Sequence, residues 1–423
     1  MPQKSNATAG LVPAGGAERW RRPGSSCPAV PDGGAAGGRI AGSEDGAGDV
    51  AAEPAASLDI TADRLDPAIA AWLRRSGEVA AALGMDDAAA PVRRRAWQQT
   101  LGDRLFAAFG RPGPSQVVIA THRIDGPAGA LRVREYRPLP GRRAGPDPAG
   151  RAAACCYDPS DHAAGAAGAG AAGAEVAGAE VAGADRLTRP AYLTLHGGAF
   201  WLGSIDDRPN AAAAAERALG ADAIVFDVDY RLAPEHPFPA GLEDCYTALV
   251  WVHAHAAELA IDPARIVVGG VSAGGNLAAA LCRLVRDRGG PPIRGQLLEV
   301  PVLDLRADGA WIDRYAAING LDGWDEIRDF YLRPGQDPAD PLVSPLAGAD
   351  LGGLPPAHII TAEIDPLRAG GEAYAVALRR AGVRATATRR LGALHGANAL
   401  TGTWSGARLW AAEAIAALAE LTL

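Results

Sequence analysis

The sequence predicts an α/β fold: a mostly parallel sheet with helices on both faces. Two observations point to it. Beyond Ala191, short apolar runs alternate with longer amphipathic stretches, which is how strand–helix–strand units read. One of these runs, Ile266–Val268, leads into a glycine-flanked serine and then a helix-forming stretch. A hydrophobic content of 48% over 423 residues is enough for a sizeable core.

Taken in order, residues 1–57 are rich in Gly, Ala, Pro and Ser, and Trp20 is their one aromatic. Such a segment cannot bury enough apolar surface to offset the entropy of ordering it, so a disordered tail is expected. Asp66-Pro67 is a helix start, an N-cap followed by proline at the first helical position. Ile69, Trp72, Leu73, Val79, Ala80 and Leu83 then follow a helical stripe. A second helix carries Trp97, Leu101, Leu105 and Phe109, and Gly110 to Pro114 stops it. Gln116–Arg123 and Ala130–Tyr136 read as strands, with Asp125-Gly126 as the hairpin signal. Residues 141–186 are of low complexity and read as a flexible surface insertion.

After it come apolar strands at Tyr192–Leu195, Ala223–Val228, Ile266–Val268, Gln296–Val302 and Ala357–Ala362. They are interleaved with helices at Ala212–Leu219, Leu242–Ala254, Leu277–Arg286, Gly371–Ala381 and Trp404–Leu421. Gly and Pro together make up a fifth of the residues; no Gly-X-Y period is present, which excludes collagen.

The net charge of −8 argues against nucleic acid and anionic membranes as partners. No run of 18 apolar residues marks a transmembrane helix. The five cysteines, Cys27, Cys155, Cys156, Cys245 and Cys282, fit no zinc spacing and read as free thiols of a reducing, cytoplasmic compartment. Arg21-Arg22 is followed by proline and by no apolar stretch, so a signal peptide is not supported. No metal or cofactor is expected.

Three motifs carry chemistry. Gly270-Val271-Ser272-Ala273-Gly274 joins the strand at 266–269 to the helix that begins at Asn276. This is the strand–turn–helix context of a nucleophile elbow: glycines remove Cβ atoms that would collide, and Ser272 stands at a helix N-terminus that favours developing negative charge. Next, the strand Tyr192–Leu195 ends in His196-Gly197-Gly198-Ala199-Phe200. Acyl transfer needs N–H donors for an oxyanion; the backbones of Gly197 and Gly198, with Ala273 after the nucleophile, are the candidates. His196 is expected to brace this loop. Finally, only His358 and His395 follow Ser272. His358 falls inside an apolar strand, whereas His395 lies in a loop before the last helix, which makes it the candidate base. Asp365, in the loop after strand 357–362, is the candidate acid; Glu363 and Asp304 are weaker alternatives.

These blocks, with Asp229-Tyr230-Arg231-Leu232-Ala233-Pro234-Glu235 and Asp365-Pro366-Leu367-Arg368, resemble the hormone-sensitive lipase-like branch of the α/β-hydrolases, the bacterial type IV esterases. The resemblance covers about 66–423 apart from the insertion. It implies an eight-stranded, mostly parallel sheet and a helical cap made from about 66–110 and 305–335, so that 58–423 form one hydrolase domain. Trp311, Tyr315, Trp324, Phe330 and Tyr331 in the cap are core filler that would also wall an acyl pocket. The 229–235 block would support the oxyanion loop. Three departures from the family pattern stand out: Ala199 in place of a third glycine, Val271 where the family carries an acid or Thr, and Gly-Ala-Asn after His395 in place of Gly-Phe.

The expected activity is that of a serine hydrolase cleaving small-molecule carboxylic esters, with short acyl chains implied by the resemblance. Amide, formamide or lactone hydrolysis on the same site, or a ligand-binding protein on a hydrolase fold, are the alternatives. Self-association into a homodimer stays open.

Overall fold

The computed structural model describes residues 65–84, 89–139, 188–306, 315–316, 318–319, 321, 323–348 and 350–423. The expected tail (1–57), the insertion (141–186), Trp311, Cys27, Cys155 and Cys156 lie outside them. The strands and helices all belong to one compact unit, Asp66–Leu423.

Two helices lead. α1 (Pro67–Leu83) starts where Asp66 Oδ1 accepts the Ala68 N–H at 2.9 Å, and it ends on Gly84. α2 (Pro91–Phe109) ends at Gly110. The remainder alternates strand and helix: β1 (Val117–Gly126), β2 (Gly129–Pro138), β3 (Arg189–Leu195), α3 (Arg208–Gly220), β4 (Ile224–Val228), α4 (Ala240–Ala254), β5 (Ile261–Val271), α5 (Ala273–Arg288), β6 (Gly295–Glu299), α6 (Trp324–Tyr331), β7 (Ala357–Ile364), α7 (Arg368–Arg380), β8 (Ala385–Leu394) and α8 (Ser405–Leu421). The strands form one eight-stranded sheet in the order β1-β2-β4-β3-β5-β6-β7-β8. Only β2 runs against its neighbours; β4, β3, β5, β6, β7 and β8 pair in parallel. This is the α/β-hydrolase arrangement the sequence pointed to.

Side-chain alternation sends Leu193, Phe226, Val268, Leu298 and Ile359 to one face, where Leu249 and Leu281 of α4 and α5 join them in the main core. α3 and α8 pack together on the other face. Full burial of each such leucine or isoleucine stabilises by roughly 1.5–3 kcal/mol, which is why these runs specify strands so strongly.

Two local readings need correction. The hairpin loop is Pro127-Ala128, with Gly126 paired to Gly129, so Asp125-Gly126 ends β1 and does not form the turn. In addition, the apolar runs accounted for seven strands, and the eighth is Ala385–Leu394. It is an edge strand whose middle carries Arg389, Arg390 and an exposed Leu391, and only Ala385, Ala393 and Leu394 of it are buried. With one face partly in water, it has no continuous apolar run to be read.

The α3/α8 face holds a buried ion pair. Arg217 of α3 bonds Glu299 at the end of β6, and Trp410 of α8 donates its indole N–H to Glu299 Oε2 at 2.9 Å. Glu299 is 1% exposed. Removing one partner of such a pair leaves an uncompensated buried charge. Arg217→Met should therefore lower stability by about 3–5 kcal/mol, read as the denaturant midpoint against the unsubstituted protein.

Candidate active site

The site forms at the carboxyl ends of β3, β5, β7 and β8. β5 turns into α5 through Ser272, whose φ of 57° and ψ of −117° lie where non-glycine residues rarely sit. The neighbours over-determine this conformation. The Ser272 N–H donates to the Glu299 carbonyl at 2.8 Å, and its own carbonyl accepts from Asn276 and Val302 at 3.1 and 3.2 Å. A Cβ at Gly274 would overlap the Leu195 carbonyl, so the helix can start this close to β3 only on glycine.

The structure brings Ser272, His395 and Asp365 together. His395 Nε2 lies 2.9 Å from Ser272 Oγ, and its Nδ1 lies 2.9 Å from Asp365 Oδ2. Asp365 is completely buried and Ser272 is 7% exposed. Asp365 Oδ1 accepts the Leu367 N–H at 2.8 Å, which fixes the carboxylate. The alternatives are engaged elsewhere. Glu363 accepts the Gly392 N–H, Asp304 pairs with Arg306, and His358 pairs with Glu413. A hydroxyl, an imidazole and a carboxylate in this chain can move a proton off the hydroxyl and stabilise the resulting imidazolium.

The loop after β3 faces the serine. An ideal Cβ on Gly197 would stand 3.5 Å from the Ser272 Cβ, and Gly198 takes a φ of 126° that only glycine adopts readily. Ala199 and Phe200 continue at positive φ. Among the described residues, none of the Gly197, Gly198 and Ala273 amides donates to another protein group. His196 sits beneath the loop. Its Nδ1 bonds the Gly197 carbonyl at 2.8 Å, and its ring stacks on Tyr230, whose hydroxyl donates to the His196 carbonyl at 2.7 Å. Burial lowers the His196 pKa, so the ring is neutral and Nδ1 carries the proton. Arg231 forks onto Asp244, and the Ala233 N–H donates to the Phe200 carbonyl, so the 229–235 block anchors this loop.

Two residues that motif reading passed over hold the loops in place. Asn319 Oδ1 accepts the His395 N–H at 2.6 Å, while its Nδ2 donates to the carbonyls of Tyr315 and Ile364, next to Asp365. Arg95 of α2 donates to the carbonyls of Trp201 and Ala233 and pairs with Glu235. Neither lies in a motif; only the folded chain shows what each touches. Of the cap aromatics among the described residues, Tyr315, Trp324 and Tyr331 are buried, Tyr331 stacks on Phe200, and Phe330 stands edge-on to Trp201. A cavity of about 390 Å³ lies between α2, α3 and the loop after β3, and is walled by His196, Gly197, Gly198 and Val271 on the site side.

That cavity is also bordered by Asp207, whose pKa is pushed up to about 6, chiefly by burial and then by Asp103, Asp206 and Asp229, against the lowering effect of the Ser204 N–H.

Among the described residues, no group of side chains could hold a metal ion and no helix is long and apolar enough to cross a membrane.

Comparison with known proteins agrees with this fold. A family model described as the α/β hydrolase fold matches residues 192–399. The carboxylesterase NlhH of Mycobacterium tuberculosis is 46% identical over 213 residues, covering 49% of this chain and 66% of that protein. An arylesterase of Saccharolobus solfataricus is 42% identical over 205 residues, covering 47% and 65%. The chain thus spans slightly less than two thirds of these curated relatives. Among solved structures, the metagenomic carboxylesterase EstE1 superposes with a TM-score of 0.64 at 30% identity, covering 80% of this chain and all of that one. A bacterial heroin esterase gives 0.64 at 29% identity, covering 86% and 100%.

The raised Asp207 pKa has a consequence for stability. The folded protein keeps this proton up to about pH 6, whereas the unfolded chain releases it near 3.8, so stability falls as pH rises across that window. Asp207→Asn should raise stability at pH 7.5 by about 1 kcal/mol, the full linkage being discounted for partial exposure. The gain should vanish below pH 4 in parallel denaturant titrations.

Proposed function

Since the chain belongs to the α/β-hydrolase family, in its hormone-sensitive lipase-like branch of bacterial esterases, we propose that it is a serine hydrolase of small carboxylic esters with short acyl chains. The observation that carries this reading is the chain Ser272–His395–Asp365, with both hydrogen bonds at 2.9 Å. Ser272 Oγ attacks the ester carbonyl carbon as its proton passes to His395 Nε2. The Asp365 carboxylate holds the imidazole tautomer and stabilises the imidazolium. Negative charge builds on the former carbonyl oxygen, where the Gly197, Gly198 and Ala273 amides receive it. As the tetrahedral intermediate collapses, His395 returns the proton to the departing alcohol and leaves an acyl-serine. Water, deprotonated by His395, then attacks the acyl carbon and regenerates Ser272.

A helical cap closes the site in this reading. Support for it comes from Trp72 of α1, 3.9 Å from an ideal Cβ on Gly396, and from the Arg94–Glu326 pair that ties α2 to α6. Buried, unpaired Cys245 and Cys282 fit a reducing compartment.

Purified protein should cleave p-nitrophenyl acetate and butyrate faster than the palmitate, and Ser272→Ala should lower kcat by about 10⁶. Full turnover in that variant would remove Ser272 from the reaction; faster cleavage of palmitate would remove the short-chain preference. Asn319→Ala should lower kcat about tenfold or more with little change in KM, because a misplaced imidazole weakens the transition state and not substrate binding. Steady-state kinetics against p-nitrophenyl butyrate measure the split.

A further inference from the structure

We propose that the cavity beside the loop after β3 is a subsite for a neutral, hydroxylated group, so that the preferred substrates are esters of polyols or of hydroxy acids. This rests on the esterase reading above and extends it to substrate class.

The cavity comes within one residue of the reacting side chains. Val271 precedes Ser272, Gly396 follows His395, and both border it together with Gly197 and Gly198. Another wall is one face of α2. Arg95, Gln98, Gly102 and Phe106 recur there at the spacing of helix neighbours, and all four border the cavity. Gly102 sits in the interior of this helix, where glycine is less favourable than alanine. An ideal Cβ on it would meet nothing within 4 Å. No neighbour demands the glycine; what the missing side chain leaves is room in the cavity wall.

The hydrogen-bonding character of the wall sets the class of ligand. Gln98 and Asn398 border the cavity and are half-buried, and among the described residues neither carboxamide has a partner. Each offers N–H donors and a carbonyl acceptor. Glu216 of α3, also half-buried and without a side-chain hydrogen bond among the described residues, adds an acceptor. The charges are already answered. The Arg208 guanidinium acts on Asp103, and Arg217 and Arg111 act on Glu216. Arg95 is committed to Glu235 and Arg217 to Glu299. A charged ligand of either sign therefore gains little. A hydrocarbon would take water from the carboxamides and from Glu216 without replacing its hydrogen bonds, which is costly. A hydroxyl both donates and accepts, so it matches the mixed wall, while Phe106, Val271 and Ile415 offer apolar surface to its carbon skeleton.

The test replaces hydroxyls by methyl groups. 2,3-Dihydroxypropyl butanoate is compared with 2-methylbutyl butanoate, which puts the hydroxyls on the alcohol half. Methyl 6-hydroxyhexanoate is compared with methyl heptanoate, which puts one on the acyl half. kcat/KM should favour the hydroxylated ester of at least one pair by about tenfold, as one or two added hydrogen bonds do. The pair that responds shows which half enters the cavity. A cationic ester, 2-(dimethylamino)ethyl butanoate, should be cleaved no better than 3-methylbutyl butanoate. The hydroxyl preference should fall toward one in Gln98→Leu and in Asn398→Leu, through KM and not kcat. Gly102→Leu fills the space along α2 and should raise KM for the hydroxylated ester about tenfold. Its melting temperature, which loss of a mid-helix glycine should raise, shows that it folds. NMR titration with 3-ethoxypropane-1,2-diol and with 1-ethoxy-2-methylbutane needs no turnover, and the diol should bind about tenfold more tightly. In a protein that cleaves p-nitrophenyl acetate, no hydroxyl preference in either pair would overturn the subsite. So would a tenfold preference for the cationic ester, or a hydroxyl preference that all three variants keep. If p-nitrophenyl acetate is not cleaved, the esterase reading fails, and the subsite stands or falls on whether the diol ether binds more tightly than its hydrocarbon isostere.

Discussion

The turn at Ser272 is the constraint on which the site depends. β5 must end, reverse and start α5 within one residue, close enough to β3 that the Leu195 carbonyl leaves no room for a Cβ on Gly274. The resulting left-handed serine is strained. Three backbone hydrogen bonds, to Glu299, Asn276 and Val302, hold it there. The same closeness brings the loop after β3 against the serine, so the Ser272 hydroxyl and the Gly197 and Gly198 amides are set by one packing event.

The support beneath this turn is electrostatic as well as steric. Glu299 accepts the Ser272 amide through its backbone, while its side chain pairs with Arg217 and with the Trp410 indole. Two helices on the far face of the sheet are thus connected to Ser272 through a single residue. On the solvent side, Arg95 and Asn319 do the corresponding work for the loop after β3 and for the His395 loop. The 229–235 block completes the frame, with the Tyr230 hydroxyl on the His196 carbonyl and Arg231 on Asp244.

Much of the fold was legible in the chain. Strands covered on both faces are continuous apolar runs, so β3 through β7 could be placed within a few residues. Caps and stops such as Asp66-Pro67 and Gly110 act locally and read locally. β8 was not legible, because an edge strand needs only a few buried positions and this one spends its middle on Arg389, Arg390 and Leu391. The hairpin slipped by two residues because Asp-Gly is a preference, whereas the register is set by pairing along the whole of β1 and β2.

The site divides in the same way. Ser272, Gly197, Gly198, Asp365 and His395 could be nominated from the sequence because an elbow, a close backbone approach and a loop at a strand end each demand particular residue types at short spacing. That His395 stands 2.9 Å from both Ser272 and Asp365, that Asn319 joins the two loops, and that Arg95 clasps the loop after β3 emerge only once the sheet has formed. Short-range steric demands are written in neighbouring residues. Contacts between residues such as Asn319 and His395, far apart along the chain, depend on how β7 and β8 pair and where the cap segments come to rest, and no local pattern records that.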